Sequence, residues 1–168
     1  MSKKQIFALL LYFSIPFSEV VLAQDIVRYR ADSFPISNAI EVPSGKSMIY
    51  LSGVVPSIAN ENVNKESLEA YGNTEAQTVN VLSNIKKQLE DIGLSLADVV
   101  KMQVFLVGGP ENNGDMDFEG FMAGYTKFYN NSIDGLPLPV RSAFQVKGLA
   151  NPSWRVEIEV TAVRNFLK

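Results

Sequence analysis

Trp154-Arg155-Val156-Glu157-Ile158-Glu159-Val160-Thr161-Ala162-Val163 is the stretch whose reading decides the fold. Trp154, Val156, Ile158, Val160 and Ala162 fall on one side of an extended chain. Arg155, Glu157, Glu159 and Thr161 fall on the other. Strict period-two alternation marks a strand with one buried face, and that apolar face needs a second layer to cover it. Just upstream, Val140-Arg141-Ser142-Ala143-Phe144-Gln145-Val146 reads as another strand, separated from the first by a loop holding Gly148 and Pro152. Asp98–Val107 reads as a third. Val100, Met102, Val104 and Leu106 alternate there with Lys101, Gln103 and Phe105. Ser47–Ser52, stopped by Gly53 and Pro56, is a fourth.

Two helices are available to cover these strands. The first starts with Thr74 as N-cap. Its apolar positions are Ala76, Val79, Leu82, Ile85, Leu89 and Ile92, at spacings of three and four, and Gly93 stops it. The second is expected over about Met116–Tyr129, burying Phe118, Phe121, Met122, Tyr125 and Phe128 or Tyr129. Residues 24–46 and 57–73 are rich in turn formers and read as mixed or loop structure. The order of elements predicts a single α+β domain, a mixed β-sheet with two helices packed on one face. Apolar members such as Phe105 and Phe144 on the other face suit coverage by a subunit partner.

Composition narrows the chemistry. The 168 residues carry 15 basic and 18 acidic side chains, and 46% are apolar, which excludes wholesale disorder. No clustered basic patch marks a duplex-binding protein, so no nucleic-acid partner is expected. Cys and His are both absent. Thiol nucleophiles, disulfides, Ser-His-Asp catalysis and the commonest metal ligands are therefore excluded. Chemistry falls to carboxylates, Arg, Lys, Tyr, hydroxyls and backbone groups. Residues 1–23 have the layout of a cleaved secretory signal: Lys3 and Lys4, the apolar run Ile6–Ile15, then Val21-Leu22-Ala23. The run is shorter than the roughly 20 residues that span a bilayer. The expectation is a periplasmic or secreted single domain over 24–168, without stable membrane insertion.

Three stretches resemble the RidA family, also called the YjgF/YER057c/UK114 family. One is Tyr50-Leu51-Ser52-Gly53-Val54-Val55-Pro56. Another runs from Thr74-Glu75-Ala76-Gln77 through Asn84, Leu89 and Gly93 to Ala97–Leu106. The most specific is Pro139–Val146 followed by Leu149, Pro152 and Val156–Val163. The resemblance implies a chorismate-mutase-like (YjgF-like) subunit and a homotrimer with ligand pockets between subunits. It also implies hydrolysis of reactive 2-imino (2-aminoacrylate-type) acids to 2-keto acids and ammonia, with no metal and no organic cofactor. The small-molecule partner is then an imino or keto acid.

By the same resemblance, Arg141 anchors the substrate carboxylate, a task suited to the guanidinium fork. An interface ion pair is the structural alternative. Glu157 is the matching catalytic acid/base: a carboxyl that can activate water and then deliver a proton to nitrogen. Alternation alone also fits a solvated strand face, and only the family match selects Glu157 over Glu159. Ser52 matches a pocket serine, although an ordinary turn serine would look the same. Ala143 falls where many relatives have Cys, and its main-chain N–H can still serve the carboxylate.

Three pocket-wall positions depart from the family pattern. Ile36 replaces a tyrosine within Phe34-Pro35-Ile36-Ser37-Asn38-Ala39. Val54 replaces a glutamine and Met122 an asparagine. Apolar walls suit a bulkier imino acid, such as one derived from Leu, Met or Phe. They suit equally a non-catalytic trimeric binding protein for small carboxylate-bearing metabolites. The loop at 108–117 is longer than is usual in the family and could reshape the pocket rim.

Overall fold

A computed structural model describes residues 25–31, 33–130, 132 and 135–164; the expected signal at 1–23 lies outside the described residues. The first two strands, β1 (Val27–Arg30) and β2 (Ser37–Glu41), pair antiparallel as a separate hairpin. Strand β3 spans Ser47–Val54, helix α1 Thr74–Asp91, strand β4 Val99–Val107, helix α2 Phe118–Tyr125, strand β5 Val140–Val146 and strand β6 Val156–Arg164. The main sheet has the order β3-β6-β4-β5. Strand β6 is antiparallel to both β3 and β4, while β4 and β5 are parallel. This is the expected α+β arrangement with a mixed sheet, and both helices share one core with it.

Parallel pairing of β4 with β5 demands a crossover, and α2 lies within it. Met102, Val104 and Leu106 point to the helices, together with Val156, Ile158, Val160 and Ala162 of β6. From the helices come Val81, Leu82, Ile85, Leu89, Phe121 and Tyr125. The opposite sheet face is open. Tyr50 is 76% exposed there and Phe144 46%, and Phe144 stacks on Phe105 at 6.3 Å between ring centres.

Several boundaries differ from the sequence expectations. Asn73, not Thr74, caps α1: its side chain accepts from the Ala76 N–H at 2.9 Å. The buried stripe of α1 is Thr74, Gln77, Thr78, Val81, Leu82, Ile85 and Leu89, whereas Ala76 and Ile92 are exposed. Gln77 and Thr78 can join the buried stripe because their polar groups are satisfied. The Gln77 amide donates to the carbonyls of Gly72 (2.9 Å) and Ser153 (3.0 Å) and accepts from the Arg155 N–H (2.6 Å). Thr78 donates to the Thr74 carbonyl at 2.7 Å. Helix α2 is shorter than expected, continuing past Tyr125 only as turns, though Tyr129 is still buried. Within 57–73, a 3-10 turn at Leu68–Ala70 leads into buried Ala70 and Tyr71. The hairpin β1–β2 occupies the region read as mixed turns.

The last strand begins at Val156, not Trp154. Arg155 does not join the open face. It turns inward, its side chain 9% exposed, and forks onto Glu111 through Nε–H (2.7 Å) and Nη2–H (3.4 Å) while Nη1–H donates to the Pro152 carbonyl. That ion pair anchors the long 108–117 loop. Gln145 pins the same loop again, donating to the Gly114 carbonyl at 2.7 Å and accepting from the Met116 N–H at 3.2 Å. Arg28 staples the first hairpin to the domain by donating to the carbonyls of Ala97, Val99 and Leu138.

Helices α1 and α2 come into close contact at Gly124. A Cβ there would stand 2.7 Å from Thr78 Cβ and 2.8 Å from the Glu75 carbonyl oxygen. One neighbour is backbone and cannot yield, so Gly124→Ala is expected to lower stability by about 1–3 kcal/mol in urea unfolding. The Arg155 guanidinium holds the Glu111 carboxyl below its ordinary value of 4.5. A depressed carboxyl contributes stability above its unfolded pKa and loses it as pH falls through the folded one. Glu111→Gln should therefore cost about 1–2 kcal/mol near neutrality, allowing for the exposure of the carboxylate. The gap to wild type should close progressively below pH 4.5 when unfolding is compared across pH.

Candidate active site

Strand β5 places Arg141 and Ala143 on the helix side of the sheet, since they register with the inward-facing Met102 and Val104 of β4. Helix α2 crosses above. Its aromatic residues at spacings of three and four form a ladder: Phe118 to Phe121 at 5.9 Å, Phe121 to Tyr125 at 5.7 Å, Tyr125 to Tyr129 at 5.2 Å. The Arg141 guanidinium lies against this ladder. Its Cζ is 4.3 Å from the centre of Tyr125, 4.9 Å from Phe121, 5.9 Å from Phe118 and 5.3 Å from Phe34. Such distances are those of cation–π contacts.

The rings do not neutralise the charge. Among the described residues no carboxylate pairs with Arg141, and its Nη1 is buried without a hydrogen-bond partner. Burial lowers its pKa from the ordinary value, and only the Tyr125 hydroxyl opposes this. Beside it is a hollow of about 260 Å³ lined by Ile36, Ser37, Lys101, Met102, Val140 and Ser142 as well as Arg141. An anion entering this hollow would meet a desolvated guanidinium and the Lys101 ammonium, with Ile36, Met102 and Val140 excluding water.

Glu157 is elsewhere. It registers with Phe105 of β4 and faces the open side of the sheet, opposite to Arg141. A bulge in β3 between Leu51 and Val54 bends that strand beside it. The carboxylate lies directly against Gly53, where an added Cβ would fall 1.9 Å from Oε1 and 2.8 Å from Cδ. Ser52 is exposed at the same bulge and lines two clefts. One, of about 310 Å³, includes Tyr50, Lys101, Gln103 and Glu159. The other, of about 520 Å³, runs through Val54 and Val55 to Asn84 and Lys87.

The residues singled out in the sequence thus fall into two groups on opposite faces of the sheet. Arg141 and Ala143 lie on the helix side, with Ile36 lining the hollow beside Arg141, and Glu157 and Ser52 lie at the open face. Val54 is mostly core but borders the cleft at Ser52, and Met122 packs half-buried against the core. The three apolar substitutions therefore do not make one continuous wall within a subunit. Lys101 touches both hollows and was missed, because a lone strand lysine carries no motif. Gly53 was read only as a stop, although its missing side chain is what seats Glu157. The α2 aromatics were read as core, and they are also the bed of Arg141. No cluster of three or more acidic side chains able to hold a metal ion occurs among the described residues. No helix there is long and apolar enough to cross a membrane.

The family model described as Endoribonuclease L-PSP matches residues 33–164. The chain belongs to this family, the YjgF/RidA family. A RutC family protein of Saccharolobus solfataricus is 32% identical over 130 residues, covering 77% of this chain and 85% of that protein. Among solved structures, the YjgF product of E. coli is 32% identical with a TM-score of 0.53, over 74% of this chain and 85% of that one. A Rid family protein, YyfB of Yersinia pestis, is 27% identical with a TM-score of 0.59, over 84% of this chain and all of that one. E. coli TdcF, solved with bound serine, is 29% identical with a TM-score of 0.53, over 74% of this chain and 85% of that one. The matched span of this YjgF/RidA member includes Arg141, Ala143, Glu157 and Ser52.

If Glu157 needs its seat, filling that seat moves it. Gly53→Ala leaves backbone and core untouched, because the clash is with the far end of a flexible side chain. Melting temperature should stay within a few degrees of wild type, while any Glu157-dependent turnover falls at least about tenfold.

Proposed function

We propose that this YjgF/RidA member is an imine/enamine deaminase. It would hydrolyse 2-imino acids to 2-keto acids and ammonia at sites shared between subunits of a homotrimer. The observation that carries the reading is Arg141: a half-buried guanidinium with no carboxylate partner among the described residues, held against four aromatic rings beside a hollow of mixed apolar and polar lining. A substrate carboxylate would supply the missing counter-charge bidentately. The serine bound to TdcF, itself a small amino acid, supports a ligand of that class.

Glu157 would perform the chemistry from a neighbouring subunit. One sheet separates it from Arg141 of its own chain, so the two can meet only across an interface, and the exposed Tyr50 and Phe144 suit that face to coverage by another copy. An enamine first takes a proton on carbon to become the imine. The Glu157 carboxylate then accepts a proton from water as its oxygen bonds to the imine carbon, and the imine nitrogen takes up a proton. The carbinolamine nitrogen then takes a second proton from solvent, the C–N bond breaks to release ammonia, and the hydroxyl proton passes to the Glu157 carboxylate as the C=O bond of the keto acid forms. Arg141 and Lys101 hold the carboxylate. The main-chain N–H of Ala143 and the Ser52 hydroxyl orient carboxylate and water.

A second reading, a binding protein without turnover, draws on Ile36, Val54 and Met122, which put apolar side chains where the family pattern has polar ones. Export to the periplasm or beyond, carried by residues 1–23, belongs to the same proposal.

The test generates imino acids in situ with an amino-acid oxidase and follows their capture by semicarbazide. Wild type should suppress semicarbazone formation, and both Arg141→Ala and Glu157→Gln should abolish that effect. Co-refolding the two variants should restore activity at about a quarter of the sites, since each site takes its Arg and its Glu from different copies of a closed ring. Turnover unchanged in Glu157→Gln would end the acid/base assignment. Ligand binding without turnover in wild type would leave the binding-protein reading.

A further inference from the structure

The proposed anion site assigns a task to Arg141 but leaves open what holds a long, flexible side chain in one place. No hydrogen bond or ion pair does so among the described residues, and Nη1 is buried with no acceptor. The nearest of the four ring centres to the guanidinium is that of Tyr125, 4.3 Å from Cζ. Tyr125 is itself immobilised on every side. It is fully buried and is stacked between Phe121 and Tyr129. Its hydroxyl donates to the Pro35 carbonyl at 2.9 Å. That last bond ties α2 to the 34–36 segment, which contributes Phe34 to the guanidinium and Ile36 to the hollow.

We infer that Tyr125 is the positioning residue of the anion site: the face of its ring, locked by the ladder and the Pro35 bond, sets where the Arg141 guanidinium points. The inference rests on the anion-site reading of Arg141. Tyr125 itself does not touch the ligand; it acts through Arg141. An aromatic face attracts a cation through its quadrupole, so the hold depends on the electron density of the ring and not on its shape alone.

That dependence separates positioning from packing. Phenylalanine, then mono-, di- and trifluorinated phenylalanines, placed at position 125 keep the shape of the ring and progressively withdraw its electron density. Binding of pyruvate and 4-methyl-2-oxopentanoate to each full-length variant, measured by calorimetry, should respond as follows. Tyr125→Phe, which also gives up the Pro35 bond, sets the reference, and affinity then falls stepwise to at least about tenfold below that reference for the trifluorinated ring. KM for the imino acid should rise in parallel while kcat changes less than about threefold, because Arg141 binds substrate and transition state alike. Affinities that do not vary along the fluorine series overturn the inference alone, since Arg141 would then still bind the anion without help from the ring. A fall in kcat at constant KM also overturns it. Wild-type protein that binds neither oxo acid overturns the anion-site reading and this inference together.

Discussion

Parallel pairing of β4 with β5 is the constraint on which the site depends. Two parallel neighbours cannot be joined by a tight turn, so the chain must leave the sheet and return along one face. Helix α2 lies on that path, which brings its aromatic stripe over the inward side of β5. Any residue at an inward position near the start of β5 then lies beneath Phe118, Phe121 and Tyr125. Arg141 occupies that position.

Strand alternation does the remaining separation. Arg141 registers with Met102 on one face, and Glu157 registers with Phe105 on the other. Each is prepared by its own surroundings: the arginine by stacked rings and lost hydration, the glutamate by a glycine that leaves room for its carboxylate. A chain built this way carries two unlike charged groups facing away from each other. Under the proposed function, burial of the open sheet face and completion of the site would be the same event.

The long loop after β4 is held more firmly than its Gly, Pro and Asn content suggests. The Arg155–Glu111 pair grips it from the end of β6 and Gln145 from β5, while Gln77 secures the backbone of Arg155 from within α1. These polar contacts replace apolar packing along one flank of the core. They also explain why α1 buries Gln77 where a purely apolar stripe was expected, and why Arg155 left the open face to which alternation assigned it.

Much of this protein was legible without coordinates. Alternation in β4 and β6, the three-and-four spacing in α1, and the Gly and Pro stops depend on local periodicity, which the backbone imposes wherever it is regular. Family membership was readable because its motifs are long and ordered, and Arg141 and Glu157 lie inside them. The β1–β2 hairpin was not legible: its exposed strands carry little alternation and are held by Arg28 reaching distant carbonyls. Nor were Gly53, Lys101 and the Tyr125 bed. Sequence determined the elements and the identities of the charged residues, because those follow from neighbours along the chain. Tertiary structure alone decided that Arg141 is desolvated against aromatic rings and that a sheet divides it from Glu157, because burial and facing depend on which strands pair and where the crossover runs.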